Sequence, residues 1–209
     1  MMVHTSTSET YGTALYTPID ERHPLQAQSP YAATKIGADK IVESFYKSFN
    51  FPVATIRPFN TFGPRQSDRA IIPTIISQIA AGKDQITLGS LAPVRDFLYV
   101  KDTANGYIKI AESENTIGEV INVGTGRGIN IGDLATLIME LMRKKVVLNS
   151  NDERVRPGKS EVMQLLCNYK KAQRLANWEP QFTLEQGLKE TIQFVQANCD
   201  KFKPDKYNI

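Results

Sequence analysis

The chain is poor in the residues from which disulfide frameworks and metal sites are built. It has two cysteines, Cys167 and Cys199, far apart in the sequence, and two histidines, His4 and His23. A disulfide scaffold needs several regularly spaced cysteines, and a structural zinc site needs about four Cys or His ligands close together. The sequence therefore favours neither a disulfide framework nor a metal centre, and we expect a reducing cytoplasm as its location.

Long apolar runs are also missing. The longest, over residues 134–142, is interrupted by polar residues and falls short of the ~20 apolar residues that cross a bilayer. Residues 1–4 have neither the basic start nor the apolar middle of a signal peptide. We therefore expect no membrane partner.

A dense basic surface is the third absence. The net charge is only +3, and the basic residues are scattered except over 143–145 and in the group of Arg154, Arg156 and Lys159. A nucleic-acid site would need a denser stripe of Lys and Arg. The sequence predicts no nucleic-acid partner, and the basic groups suit a small anionic ligand better.

The pattern that is present is that of an α/β protein. Its 209 residues can bury a core, and 41% hydrophobic residues with 22% charged residues is an ordinary globular composition. Residues 3–7 are predicted to form a strand, and a helix is predicted from Pro30 to about Ser48. The near-continuous apolar run over 51–57 is typical of a buried parallel strand. Strand, helix and strand make an α/β unit with a right-handed crossover.

Further helices and strands follow from periodicity and capping residues. Apolar side chains at i, i+3, i+4 and i+7 predict a helix from Asn130, and Thr183 with Gln186 forms a capping box for the last helix. We expect Asp102 to cap a helix that ends at about Glu112. A helix is also predicted over 71–81, and strands over 86–89, 95–100 and 120–124.

The helix that begins at Pro30 carries the first chemical signal. Ser29 is a good cap in front of it, and proline suits the first turn. Tyr31 and Lys35 are four residues apart, so both side chains leave the same face of the helix. A nearby ammonium favours the phenolate, which makes Tyr31 a candidate base. Taken alone this spacing is common, because Tyr and Lys are frequent on helix surfaces.

A second signal precedes it by about twenty residues. The run Thr5-Ser6-Thr7-Ser8-Glu9-Thr10-Tyr11-Gly12 holds several hydroxyls and one carboxylate and ends at a glycine. Such a run fits the end of a buried strand that enters an active-site crevice. The alternative interpretation is a polar strand end in which Thr7, Ser8 and Glu9 only cap a turn.

Together these segments resemble the extended short-chain dehydrogenase/reductase family, and within it the nucleotide-sugar dehydratases and decarboxylases. The resemblance covers essentially the whole chain, and the order of the matching pieces is its main support. Besides the two runs above, the matching pieces are Arg57-Pro58-Phe59-Asn60, Gly63-Pro64-Arg65, the run Arg95-Asp96-Phe97-Leu98-Tyr99-Val100-Lys101-Asp102, Asn122-Val123-Gly124 and Arg156-Pro157-Gly158.

The resemblance implies the fold and its division into domains. We expect an α/β fold made of the C-terminal half of a Rossmann-type parallel sheet and a smaller mixed α/β substrate-binding domain. Residues 1–64 would belong to the NAD-binding Rossmann domain, with 101–125 returning to it, and 65–209 to the nucleotide-sugar-binding domain. Family members usually dimerise through the Tyr-bearing helix and the helix before it, so the resemblance implies a homodimer through the Tyr31 helix, although that earlier helix is missing here.

The resemblance also implies NAD as the cofactor and assigns catalytic roles. Tyr31 would take the proton from the C4 hydroxyl of a bound sugar, while Lys35 holds the phenolate and the cofactor ribose. Thr7 would share that proton. Glu9 would remove the C5 hydrogen, which the C4 ketone acidifies, and Ser8 would help hydroxide leave from C6. The product would be a 4-keto-6-deoxy sugar.

Binding residues are carried over from the family in the same way. Pro58, with Tyr31 and Lys35, would bind the cofactor, and its backbone would lie near the nicotinamide. The substrate-binding residues implied by the resemblance are Asn60, Arg65, Arg95 and Arg156, of which Arg95 and Arg156 would grip the diphosphate.

Three of these residues also have a simpler interpretation. Arg95 would form an ion pair with Asp96 or Asp102 if it bound no ligand. Asn60 would cap a turn, and Arg65 would be solvated.

The choice of reaction depends on a few positions. Many family dehydratases carry Asp where this chain has Ser8, and the pair Ser8-Glu9 also resembles GDP-mannose dehydratases and UDP-glucuronate decarboxylases. Residues 63–74 resemble the retaining N-acetylhexosamine 4,6-dehydratases that begin legionaminic acid synthesis. We therefore predict an NAD-dependent nucleotide-sugar 4,6-dehydratase, with a UDP-glucuronate decarboxylase or a 4-epimerase as alternatives.

One family feature is missing from the sequence. The glycine-rich turn after the first Rossmann strand, which binds the cofactor diphosphate at a helix N-terminus, has no counterpart in these 209 residues. One hypothesis is a C-terminal portion that is catalytic only with an N-terminal half encoded upstream. The other is a non-catalytic remnant that binds a nucleotide sugar.

Overall fold

The protein has a mixed α/β fold with mainly parallel strand pairs, as the sequence predicts. Residues 1–151 and 162–202 are described in a computed structural model. Arg154 and Arg156, the second of which is a predicted substrate-binding residue, lie outside the described residues. None of the helices in the described ranges is long and apolar enough to cross a membrane.

The sheet that carries the candidate site has three parallel strands. Its order is β1 (Met2–Thr5), β2 (Val53–Pro58) and β7 (Val120–Val123). β2 lies in the middle and is buried along nearly its whole length, which explains its apolar run. Because all three strands are parallel, the residues that follow them leave from one edge of the sheet.

The sheet is covered on both faces. Alternate residues of β2, Ala54 and Ile56, belong to an apolar cluster with residues of α3 (Val100–Glu112) and α5 (Lys170–Ala176). On the opposite face, Arg57 of β2 contacts α1 (Pro30–Phe49). The result is a sandwich of helix, sheet and helix layers, in which α1 is separated from α3 and α5 by the strands.

A second apolar core lies among the remaining elements. Its helices are α2 (Ile71–Ala80), α4 (Ile131–Met142) and α6 (Leu184–Ala197), which pack together around a single cluster of buried side chains. The shorter strands form three small groups: β3 (Asn60–Phe62) with β6 (Phe97–Tyr99), β4 (Gln85–Leu88) with β9 (Val147–Ser150), and β5 (Val94–Arg95) with β8 (Ile129–Asn130) and β10 (Gln164–Leu165).

Most predicted helix starts are confirmed. The Ser29 hydroxyl accepts a hydrogen bond from the Ala32 backbone N–H at 3.1 Å, and Asn130 caps α4. Thr183 forms the expected capping box. Short 3-10 helices at Ser8–Tyr11, Glu114–Thr116 and Cys199–Lys201 were not predicted.

The predicted cap of α3 is wrong. Tyr99 is the N-cap residue, and Asp102 lies inside the first turn, where it is buried. Its carboxylate instead accepts hydrogen bonds from the backbone N–H groups of Gln181 and Phe182, both at 3.0 Å. Asp102 therefore joins α3 to the segment before α6. The division of the chain into two domains stays a prediction.

Candidate active site

The run that follows β1 turns at once into a short 3-10 helix, Ser8–Tyr11. The Thr7 hydroxyl oxygen accepts a hydrogen bond from the Glu9 backbone N–H at 3.3 Å, so Thr7 does cap this turn. Ser8 is buried and Glu9 is half-buried. The cap uses the acceptor side of the Thr7 hydroxyl, which leaves its proton available to a ligand.

The first turns of α1 lie against this 3-10 helix. The Lys35 ammonium donates a hydrogen bond to the backbone carbonyl of Thr5 at 3.1 Å. Tyr31, one turn earlier on the same face, is 51% exposed. This bond brings the Tyr-Lys helix and the Thr7–Glu9 segment to the same edge of the sheet.

Pro58 and Asn60 leave the neighbouring strand at that edge. Pro58 ends β2 opposite Val123, and Asn60 opens β3 opposite Phe97. The side-chain oxygen of Asn60 is buried and has no hydrogen-bond partner within the described residues. A buried acceptor left unpaired costs roughly 1–3 kcal/mol, so this oxygen is suited to a donor on a ligand.

Gln66 is a further residue near this edge, and it is not among the predicted site residues. Its amide nitrogen donates to the Thr61 carbonyl at 2.9 Å, which directs its side chain back toward β3. Its amide oxygen is buried and, among the described residues, without a partner. The only sequence signal was its place in the 63–74 segment, which resembles the substrate side of related dehydratases.

The predicted arginines are less closely gathered. Arg65 is exposed and adopts a left-handed backbone conformation with φ 68°. Arg95 is half-buried in β5 and donates to the Val94 carbonyl at 3.0 Å. Asp96 and Asp102, the ion-pair partners in the simpler interpretation of Arg95, each accept hydrogen bonds from backbone N–H groups.

Asp96 fixes the glycine-rich loop after β7. Its buried carboxylate accepts hydrogen bonds from the backbone N–H groups of Thr125 and Gly126, both at 2.8 Å, and of Cys167 at 3.1 Å. Burial raises the pKa of this carboxyl, an effect that the hydrogen bonds oppose. The loop at 124–128 is thus a structural connection.

A buried polar network underlies the candidate site, and it was also missed from the sequence. Arg57 and Asp39 are both almost fully buried and form an ion pair at 2.8 Å. The Arg57 guanidinium also donates to the hydroxyl of Tyr11 at 3.0 Å. Burial raises the pKa of Tyr11 to about 12. A charged residue at the end of an otherwise apolar strand was the available signal.

The chain is similar in sequence to known proteins. Residues 1–191 match a family model described as GDP-mannose 4,6 dehydratase. The dTDP-D-glucose 4,6-dehydratase of Homo sapiens is 28% identical over 207 residues, which cover 96% of this chain and 58% of the human protein.

Solved structures show the same fold. Pal from Bacillus thuringiensis is 35% identical with a TM-score of 0.86, over 94% of this chain and 62% of that chain. The dTDP-glucose 4,6-dehydratase of Bacillus anthracis in complex with NAD is 29% identical with a TM-score of 0.87, over 98% of this chain and 64% of that one. UDP-glucuronic acid 4-epimerase from Bacillus cereus, in complex with UDP-glucuronic acid and NAD, is 27% identical with a TM-score of 0.85. The match covers 93% of this chain and 61% of that one.

The chain therefore belongs to the extended short-chain dehydrogenase/reductase family, in the group of GDP-mannose 4,6-dehydratase and its relatives. The predicted family and its Rossmann-type fold are confirmed. The chain spans 58% of the length of the human relative and 61–64% of the solved chains named above.

Proposed function

We propose that the chain is the C-terminal, catalytic portion of an NAD-dependent nucleotide-sugar 4,6-dehydratase. The observation that carries the proposal is the bond from Lys35 to the Thr5 carbonyl at 3.1 Å. It places a Tyr-Lys pair and a carboxylate-bearing segment at the carboxyl edge of a parallel sheet, where ligands of open α/β sheets bind.

The described residues fit one side of an NAD site. Tyr31 and Lys35 share a helical face at the sheet edge, and Pro58 ends the central strand beside them. NAD, when bound, would accept a hydride from the sugar and return it. The glycine-rich turn that holds a cofactor diphosphate is not in the sequence, so a further segment would have to supply it.

Proton transfers would be shared among residues of this chain. Tyr31 would accept the proton of the C4 hydroxyl, and the Lys35 ammonium would stabilise the phenolate. The Lys35 ammonium is held by the Thr5 carbonyl, one helical turn beyond Tyr31. The hydroxyl proton of Thr7, which its capping bond does not use, would complete the hydrogen bond to the substrate.

The elimination would use the next two residues. Glu9 would remove the C5 proton, and the buried hydroxyl of Ser8 would donate to the departing hydroxide at C6, so that water leaves. The unpaired oxygens of Asn60 and Gln66 would accept hydrogen bonds from donors of the nucleotide sugar. Arg65, Arg95 and Arg156 would supply positive charge for its diphosphate.

A 4-epimerase is the second candidate, and a specific observation supports it. The B. cereus 4-epimerase matches 93% of this chain with a TM-score of 0.85. Epimerisation at C4 needs the Tyr-Lys pair but no removal of the C5 proton. Glu9 therefore favours a reaction at C5, which is either dehydration or, with a C5 carboxylate on the sugar, decarboxylation.

Two measurements test the proposal. The first is the NAD content of the purified 209-residue chain and of the same chain joined to an upstream Rossmann half, read from absorbance after denaturation. We expect NAD only in the joined protein. Tightly bound NAD in the chain alone would contradict the need for a second segment.

The second measurement identifies the product by mass spectrometry. The joined protein is incubated with UDP-, GDP- and dTDP-sugars, and loss of water is the expected result. Loss of carbon dioxide would indicate a decarboxylase, and an unchanged mass with altered stereochemistry a 4-epimerase. Binding of a nucleotide sugar without any turnover would favour a non-catalytic remnant.

We also propose that a second copy of the chain binds along α1. Ile41, Phe45 and Phe49 are spaced four residues apart on one face of this helix, and each is at least half exposed. The rings of Phe45 and Phe49 lie 5.6 Å apart. An exposed apolar stripe of this kind marks an interaction surface.

A further inference from the structure

The helical face that carries Tyr31 and Lys35 continues into the core of the protein. Asp39 follows Lys35 by four residues, so the three side chains form one row along α1. Tyr31 is exposed at one end of this row, and Asp39 is buried at the other end. The buried carboxylate is therefore attached to the same rigid helix as the proposed base, two turns away.

Asp39 is bound by side chains from both strands beneath α1. One carboxylate oxygen accepts a hydrogen bond from the Ser6 hydroxyl at 2.7 Å and from the Arg57 guanidinium at 2.8 Å. The other lies 2.9 Å from Nε2 of His4, which serves as a donor. His4 belongs to β1. Ser6 comes directly after this strand and just before the proposed catalytic run Thr7–Glu9.

Arg57 extends these contacts to the 3-10 helix that contains Glu9. It donates to the Tyr11 hydroxyl at 3.0 Å, and its guanidinium lies 4.9 Å from the centre of the Tyr11 ring. The Tyr11 hydroxyl in turn donates to the side-chain oxygen of Asn122 in β7 at 2.8 Å. The helix α1, the strands β1, β2 and β7 and the Ser8–Tyr11 3-10 helix are thus connected through the Arg57–Asp39 pair.

Stability alone does not account for such a network. A buried ion pair is often no more stabilising than well-packed apolar side chains of similar volume, because removing both charges from water is costly. Hydrogen bonds differ from apolar contacts in being directional. A rotation or slide of α1 over the sheet would break the bonds of Asp39, and it would also move Tyr31 and Lys35 relative to Glu9.

We propose that Asp39 and Arg57 are positioning residues, which hold the Tyr31–Lys35 pair in register with the Thr7–Glu9 segment. They act through the helix and the strand and touch neither the substrate nor the cofactor. The catalytic part of this inference rests on the proposed function, whereas the positioning itself can be measured without turnover.

The kinetic test uses Asp39→Asn in the NAD-bound joined protein. Asparagine keeps the shape of the side chain but removes the charge that Arg57 and Ser6 bind. We expect kcat to fall about 10- to 100-fold with KM within about twofold, because a misplacement near 1 Å costs rate more than binding. Glu43→Gln, one turn further along α1 at a solvent-facing position, is the matched control and should retain wild-type kcat.

The positioning test uses nuclear magnetic resonance of the 209-residue chain, labelled at lysine and tyrosine. In Asp39→Asn we expect the Lys35 ammonium signal to lose the protection given by the Thr5 carbonyl and the Tyr31 ring signals to shift. Both signals should be unchanged in Glu43→Gln. If wild type turns over no nucleotide sugar but these shifts occur, the proposed function fails while the positioning role stands.

A second pair of variants covers the case in which Asp39→Asn does not fold. Ser6→Ala removes one hydrogen bond to Asp39 and leaves the ion pair, whereas Ser6→Thr keeps the hydroxyl. We expect Ser6→Ala to lower kcat about 3- to 10-fold and Ser6→Thr to restore it. Variants that melt at a lower temperature but keep wild-type kcat and wild-type Lys35 and Tyr31 signals would overturn the inference and leave the network a purely structural one.

Discussion

Under the proposed function, Glu9 is the residue that would separate the candidate reactions, because only chemistry at C5 needs a second base. We expect Glu9→Gln in the joined, NAD-bound protein to lower dehydration by about 10²- to 10⁴-fold, the usual contribution of a general base. Oxidation at C4, which the proposal assigns to Tyr31 and Lys35, should remain. The measurement is product formation by mass spectrometry, together with absorbance of the reduced cofactor.

The control for this variant is Glu112→Gln, which changes an exposed carboxylate at the end of α3. It should leave both signals at wild-type levels. If Glu9→Gln dehydrates the substrate at the wild-type rate, Glu9 is not the C5 base, and another group of the site removes that proton.

Tyr11 predicts how stability depends on alkaline pH. Burial is the main cause that raises its pKa to about 12 in the folded state, against an ordinary value near 10. A raised phenol pKa means that folding favours the protonated form. Its contribution is therefore complete below about pH 10 and is lost as pH rises toward about 12.

We expect wild type to lose about 1 kcal/mol of unfolding free energy relative to Tyr11→Phe between about pH 9 and about pH 11. Phenylalanine keeps the ring but has no proton to lose. Urea unfolding of both proteins at the two pH values measures the difference, and the comparison cancels the titration of lysines and other tyrosines. If both proteins lose the same amount of unfolding free energy between the two pH values, the loss does not come from Tyr11.

At the scale of elements, local signals predicted the helix starts well. Ser29-Pro30 and the Thr183–Gln186 capping box each act within one turn. Both partners of each capping hydrogen bond therefore lie within a few residues of one another in the sequence. Asp102 shows the limit of such local signals. Its partners, Gln181 and Phe182, lie about eighty residues away, and a pattern read over a short window cannot reveal them.

The candidate site shows the same difference between short motifs and contacts that only the fold creates. Tyr31, Lys35 and the Thr7–Glu9 run were found because they occupy short, ordered motifs. The network of Asp39 and Arg57 was missed because its members come from separate elements, and only the fold brings them together. The unpaired oxygen of Gln66 likewise depends on how a loop turns back on β3.

Packing around α6 gives a prediction at this scale. A Cβ atom added at Gly187 would lie 2.6 Å from a ring carbon of Tyr99 and 2.7 Å from one of Phe62, both buried. We expect Gly187→Ala to destabilise the protein by about 1–3 kcal/mol, because the two rings cannot both move away in a packed core. Thermal and urea unfolding measure the change.

Gly37 provides the matched control in another helix. No atom lies within 4 Å of a Cβ added there, and the residue sits in the middle of α1. Gly37→Ala should stabilise the protein by about 0.5–1 kcal/mol, since alanine lowers the entropy cost of the helix. An equal effect of the two substitutions would show that helix propensity, and not contact with Tyr99 and Phe62, decides the result at Gly187.

At the scale of the whole molecule, the sheet has an open edge. β1 is hydrogen-bonded only to β2 within the described residues, so its other side offers unpaired backbone groups. A Rossmann half supplied by a further segment would add its strands there. The apolar stripe of α1 is a separate surface, formed by side chains, and it suits a second copy of the chain.

Phe45→Lys distinguishes these two surfaces. A charge in the centre of the stripe should break a dimer that forms through α1, because an unpaired ammonium would have to be buried between the helices. It should not affect strand pairing at β1.

We expect light scattering to show a dimer for wild type and a monomer for Phe45→Lys, both for the chain alone and for the joined protein. The NAD content of the joined protein should stay at the wild-type level. Ile108→Lys, at a residue of α3 that is 54% exposed across the sheet from α1, should leave the dimer intact. A Phe45→Lys protein that stays dimeric would show that the α1 stripe is not the surface for the second copy.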